Sequence, residues 1–231
     1  MKIYQIYYKD EQLAGLEPEY IPYYNEKTTI YFESKIMVDL VNQGKHKNCD
    51  YFGILAPEFR KKIKQTRFWG PTIANKSKRR FSPKEFERFV NSYRPDIATL
   101  CSHRPHAVFP VAERFHRGIS KAVIKLIEKL KYKVFWDAKS KIIIYFNYFV
   151  ARPNIYEDYV KNLLEPAIDL MENDREIKKL VNVNSNYKKP VTPALKAQTG
   201  YEYYPLHPFI CERLINLYIV KNQAHLKTLN W

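Results

Sequence analysis

Three side chains that can hold a charge or move a proton stand inside one of the most apolar stretches of the chain: His207, Glu212 and Arg213 in YPLHPFICERLINLYIV. Pro208 suits a first helical position, because its φ is fixed and it has no N–H to satisfy. At ~100° per residue, Phe209, Ile210, Leu214, Leu217 and Tyr218 share one broad stripe. Arg213 falls inside that stripe, and Glu212 lies on its flank with Ile215 and Ile219, so no face of this helix is built for water. A buried charge without a partner is costly, so each must be paired. Two readings fit. One is a structural Glu–Arg contact tying the helix to its neighbours; the other is the wall of an active site.

Two further groups carry chemistry. SHRPH follows the apolar run ending at Cys101 and offers Ser102, His103, Arg104 and His106 where a strand ends. Open α/β sheets bind ligands at that edge, and Arg and His make strong charge-assisted hydrogen bonds to phosphate. The alternative is a turn ended by Pro105 whose polar groups face water. Residues 58–81 hold nine Lys or Arg against a single Glu, with Phe59, Phe68, Trp69 and Phe81 interleaved. Arg60, Lys61, Lys62, Arg79 and Arg80 in this segment suit a polyanion, and the aromatic rings suit stacked bases. A solvated loop with Trp69 as a packing anchor accounts for the same residues.

These groups need a scaffold. KIYQIYY alternates as a first strand, YFESKIMVDLVNQGKH has helical spacing closed by Gly44, and CDYFGILAP is a short buried strand ending at Pro57. Strand, helix and strand in that order open a Rossmann-like sheet. The proline-bounded stretch between the first strand and first helix reads as a loop. Ser82 and Glu85 form a capping box before the next helix. PDIATLC is a third buried strand, and AVFPVAERFHRGISKAVIKLIEKLKY is amphipathic with a break at Gly118. SKIIIYFNYFVARP has the strongest strand character of all, and IYEDYVKNLLEPAIDLMEND returns to helix. The expected fold is α/β: a mainly parallel sheet containing residues 2–8, 50–55, 96–101 and 141–147, flanked by helices. Asn147 stands at the end of the last of these runs, where a buried amide must find a partner.

Composition narrows the classes. The chain has 231 residues, enough for one domain with a basic loop insertion around 59–81. It has only six glycines and neither GxGxxG nor GxxxxGK[ST], which argues against a dinucleotide or P-loop site. Three separated cysteines point to a reducing compartment. A polar start and no apolar run near ~18 residues predict a soluble, cytoplasmic protein without a transmembrane segment. A net charge of +15 favours polyanionic partners.

Four blocks, DYFGILAPEFRKKI, RPDIATLCSH, IIIYFNYFVARPNIYEDYV and YPLHPFICERLINLYI, resemble a group of bacterial and phage glycosyltransferases with the nucleotide-diphospho-sugar transferase (GT-A-like) fold. The resemblance covers about two-thirds of the chain in scattered pieces. It implies a nucleotide-sugar donor and a closing helix on the acceptor side. Glu212 would then be the base or hydroxyl-orienting carboxylate, with His207 as the alternative base. Arg213 would pair with that carboxylate or reach the phosphates, and Asn147 and Arg152 would contact sugar hydroxyls and phosphate. Such folds often hold Mn²⁺ or Mg²⁺ through Asp-x-Asp, and no such motif occurs here, so the metal is left open. Asp50 and Asp96, at the beginnings of strands, read as structural. Two other classes fit the sequence: a nucleic-acid-binding protein, on the strength of the basic segment, and an inactive transferase fold with a structural or assembly role.

Overall fold

The structure is a computed structural model that describes residues 1–26, 29–57, 59, 83–100, 106–140, 143–144 and 147–228. Its centre is a six-stranded sheet in the order β2-β1-β3-β7-β4-β8. The strands are β1 (Lys2–Tyr7), β2 (Ile21–Tyr24), β3 (Phe52–Leu55), β4 (Ile97–Thr99), β7 (Phe149–Ala151) and β8 (Leu226–Thr228). All neighbours run parallel except β7, which lies antiparallel between β3 and β4. A separate two-stranded ribbon joins β5 (His106–Ala107) to β6 (Lys139–Ser140).

Residue alternation explains why the strands read as unbroken apolar runs. Phe52 and Ile54, Ile6, Ile97, Phe149 and Ala151 belong to one apolar cluster, while Leu55, Ile3, Ala98 and Val150 belong to a second. Successive side chains of a strand point to opposite faces, so both faces of the central strands β3, β4 and β7 are covered, while the edge strands β2 and β8 are partly open to water. Burying side chains of this size gives about 1.5–3 kcal/mol each, which favours the layered arrangement over any exposed alternative. Gly53 sits where β3 crosses β7: a Cβ there would lie 2.6 Å from Val150 Cγ1 and 2.8 Å from the Phe149 carbonyl. Only glycine fits that approach.

Most helices follow the sequence, but Pro193–Thr199 is helical within the polar, proline-bearing stretch 181–204, whose sequence reads as a loop. The helices are α1 (Glu33–Asn42), α2 (Pro83–Tyr93), α3 (Val108–Glu113), α4 (Ile119–Lys129), α5 (Pro153–Tyr159), α6 (Glu165–Asn173), α7 (Arg175–Val181), α8 (Pro193–Thr199) and α9 (His207–Asn222). Gly118, at φ +92°, breaks the amphipathic stretch as expected, and the Glu113 carboxylate accepts from Gly118 and Ser120 N–H at 2.6 and 2.8 Å across the break. Eleven of the sixteen residues of α9 are buried, so this helix has no face for solvent.

Three strands also depart from the sequence expectation. The fourth strand of the sheet is Phe149–Ala151, not residues 141–147. Upstream of it Lys139 and Ser140 pair with β5, and residues 141–142 and 145–146 lie outside the described residues. Asn147, at φ +57°, takes the left-handed conformation just before Tyr148, which a continuous strand does not. The proline-bounded loop after β1 contains the edge strand β2, whose Pro22 is tolerated because edge positions leave N–H groups unused. Finally, β8 pairs with β4 from the end of the chain, a contact that no local pattern announces. Ser82 of the capping box and most of the basic insertion lie outside the described residues.

Candidate active site

β1, β3 and β4 end on the same edge of the sheet, and the antiparallel β7 begins there. Because α9 precedes β8, which is parallel to β4, α9 starts on that same strand-end side and runs back along the sheet. α1 starts there too, after the end of β2. Topology therefore brings Tyr31, Ser34, Asn147 and His207 to one edge, although 176 positions separate the first from the last.

Their contacts are specific. Asn147 is buried, its Nδ2 donates to Ser34 Oγ at 3.4 Å, and its Oδ1 has no hydrogen-bond partner among the described residues. Asparagine tolerates the left-handed backbone here better than a larger or branched residue. Tyr31 meets the His207 ring edge-on with centroids 5.4 Å apart, and Tyr201 approaches the same ring at 6.3 Å. The Tyr31 hydroxyl and His207 Nδ1 are likewise buried without a partner among the described residues. Burial pushes the His207 imidazole down to about 4 and the Tyr31 phenol well up. At neutral pH both are uncharged, and each keeps a hydrogen-bonding atom without a partner among the described residues. The phenols of Tyr156 and Tyr159, both on α5, also lack partners among the described residues.

In the second turn of α9, Arg213 Nη1 donates to the Phe209 carbonyl at 2.7 Å and to the Glu212 carboxylate. The contact anticipated from the sequence is thus present, but it joins neighbours within the helix. Arg213 also lies close enough to His116 to help depress that imidazole: burial first, and the guanidinium second, take it down to about 4. His116 stacks on Phe209 at 3.8 Å and meets the Ser185 carbonyl through Nδ1 at 3.2 Å.

Arg152 is elsewhere. It follows β7 and therefore lies at the strand-start edge, where it donates to the carbonyls of Arg94 at 2.8 Å and Pro95 at 3.3 Å and pairs with Asp96 at 3.7 Å. Asp96 in turn accepts from His225 N–H at 2.9 Å, in keeping with a structural role. Ser102, His103 and Arg104 lie outside the described residues, as do Arg60, Lys61, Lys62, Arg79 and Arg80. Phe59, at the mouth of the basic segment, is fully buried between Tyr20 and Tyr148. Among the described residues no three His, Cys, Asp or Glu side chains converge on a metal position, so these residues do not by themselves form a divalent-ion site.

Asn216 is the residue that sequence reading passed over. Buried in α9, it accepts from Ile144 N–H at 2.8 Å and donates to the Ile144 carbonyl at 2.9 Å. One amide thereby satisfies both polar groups of a backbone unit that has left the strand and leads toward Asn147. The signal was available: a fourth polar residue in the same apolar helix requires a buried partner by the rule applied to the other three.

No family model matches the chain, and no curated protein matches it. Among solved structures, the apo structure of the bifunctional glycosyltransferase WbbM superposes with a TM-score of 0.50 at 20% sequence identity, over 99% of this chain. The chain spans only 44% of that protein. Sheet order, the antiparallel β7 and this likeness together show a glycosyltransferase-like fold of the GT-A-like Rossmann type.

Proposed function

We propose that the chain is a glycosyltransferase that moves a sugar from a nucleotide-sugar donor to an acceptor hydroxyl at the strand-end edge. One observation carries this reading: on a glycosyltransferase-like fold, Asn147 Oδ1, the Tyr31 hydroxyl and His207 Nδ1 meet that edge buried and unpartnered among the described residues. A buried polar atom left unpaired costs about 1–3 kcal/mol, and a sugar hydroxyl is a partner of suitable size and chemistry. Asn147 contacts the sugar, and Ser102, His103 and Arg104, which follow β4, hold the diphosphate. Glu212 orients or deprotonates the acceptor. His207 is the weaker candidate base, because an imidazole titrating near 4 gains little by taking a proton at neutral pH. The net charge of +15 suits a phosphorylated or otherwise polyanionic acceptor, gathered by Arg60, Lys61, Lys62, Arg79 and Arg80.

The test is a thermal-shift panel of nucleotide-sugars, each with and without Mn²⁺, on the wild-type chain and on Asn147→Gly. A ligand that binds only the folded state raises the melting temperature. Glycine keeps the left-handed backbone and removes the amide. One nucleotide-sugar should stabilise the wild type by several degrees and the variant by much less. Were none to stabilise the wild type in either condition, the fold would be serving a non-catalytic role and the proposal would fail.

A further inference from the structure

The segment that runs from α4 into β6 alternates inward and outward although its residues before Lys139 are not a strand. Tyr132 is buried and Val134 and Trp136 pack on the core, while Lys131, Lys133, Phe135, Asp137 and Lys139 face solvent. Phe135 is 79% exposed, more than any other large apolar side chain among the described residues. An exposed apolar residue by itself is ordinary. This one is held in place. The loop leaves α4 through Lys131 at φ +51°, Val134 N–H bonds the Tyr132 carbonyl at 2.8 Å, and Ala138 N–H bonds the Phe135 carbonyl at 3.1 Å. Lys221, from the last turn of α9, sets its ammonium 3.6 Å above the Tyr132 ring and adds a fourth cation beside the loop.

A loop braced by backbone hydrogen bonds that presents one phenyl ring among lysines, with Asp137 the one acid among residues 131–139, has the chemistry of an interfacial anchor. Lysine stems lie along apolar surface while their ammonium groups reach phosphate, and a ring between them enters the headgroup boundary. We propose that residues 131–139 dock the protein on an anionic membrane surface, with Phe135 entering the headgroup region and Lys131, Lys133 and Lys139 on the lipid phosphates. The charge complementarity is that of a peripheral contact, since no helix among the described residues is long and apolar enough to cross a bilayer. A nucleic acid is less suited to this patch, where the exposed cations are all lysines and a single ring protrudes rather than a platform of rings. The inference rests on this loop and does not depend on the transferase reading.

The full chain is sedimented with phosphatidylcholine vesicles and with vesicles also containing phosphatidylglycerol, at rising salt. The wild type should bind only the anionic vesicles and be released by salt. Replacing Lys131, Lys133 and Lys139 together with Gln should weaken binding about a hundredfold, from roughly fivefold per lysine. Phe135→Ala should weaken it by about fivefold at unchanged charge, and Phe135→Trp should restore it. All four positions are exposed, and unchanged melting temperatures verify that each variant is folded. No binding by the wild type, or equal binding by the lysine and alanine variants, overturns the proposal. So does a patch whose loss abolishes binding to a single-stranded oligonucleotide and leaves vesicle binding intact.

Discussion

Around Arg152 and around Asn147 the two edges of the central sheet handle polar groups in opposite ways, although His46 Nδ1, beside the start of β3, is also buried without a partner among the described residues. At the strand-start edge, Asp96, Arg152, the carbonyls of Arg94 and Pro95, His225 N–H and the Tyr51 hydroxyl bond one another, the last to the Pro95 carbonyl at 2.6 Å. At the strand-end edge, Asn147, Tyr31 and His207 each keep a buried atom without a partner among the described residues. Both edges hold residues with chemistry, and in sequence Arg152 looked as suited to a phosphate as Arg104. The difference is availability: a side chain whose donors already serve three protein acceptors has little left to give a ligand, whereas an orphaned buried atom gains by meeting one.

Glu212→Gln should separate the edges most strongly. The amide is close to isosteric, so if Glu212 acts on the acceptor, donor binding and melting temperature persist while transfer falls by about 10²-fold or more. Residual activity that instead tracks the folded fraction, with a lowered melting temperature, would make the pair with Arg213 a strut.

Acid should loosen the strand-end side next. His116 and His207 both titrate near 4 in the folded chain, against an ordinary 6.5. Between those values the unfolded chain binds more protons than the folded one. Their contribution is therefore complete above about pH 6.5 and is lost as the pH falls toward 4, by up to about 1.4 kcal/mol per pH unit for each histidine. Burial makes protonation costly at both, and at His116 the Arg213 guanidinium adds to it. Denaturant midpoints measured from pH 7 to pH 4 should show this slope, and His116→Gln should remove about half of it. An unchanged slope in that variant would place the acid sensitivity elsewhere.

The smallest effect belongs to the saturated edge. Arg152 is 44% exposed along its side chain, so Arg152→Gln should cost no more than about 1 kcal/mol and leave nucleotide-sugar stabilisation unaltered. A lost thermal shift in that variant would mean that the strand-start edge takes part in donor binding, and the contrast drawn above would collapse.

How much of this was legible depended on the range of the interaction. Most of the helices, the breaks at Gly118 and Gly44, and three of the strands were readable because turn residues and apolar period act within a few positions of themselves; the helix Pro193–Thr199 was not, because its stretch is polar and carries prolines. The fourth strand was misplaced because IIIYFNYFV is apolar on both sides of Asn147, and periodicity does not reveal a left-handed residue that resets the chain. β8 was missed because Leu226–Thr228 is too short to signal anything until β4 is beside it. At the site, the need for partners around His207, Glu212 and Arg213 was evident from burial alone. Their identity was not: Tyr31 stands against His207, and the pair formed by Glu212 and Arg213 lies within one helix.

By itself, then, the sequence determined that this chain builds a sheet whose central strands are covered on both faces and closes with a helix that has no side for water, because apolar burial is set by composition and spacing. Only the tertiary structure decided that Arg152 and Asn147, five positions apart, serve opposite edges. A three-residue strand crosses the sheet between them, and its direction, fixed by pairing with β3 and β4 rather than by any local preference, settles which end each residue occupies.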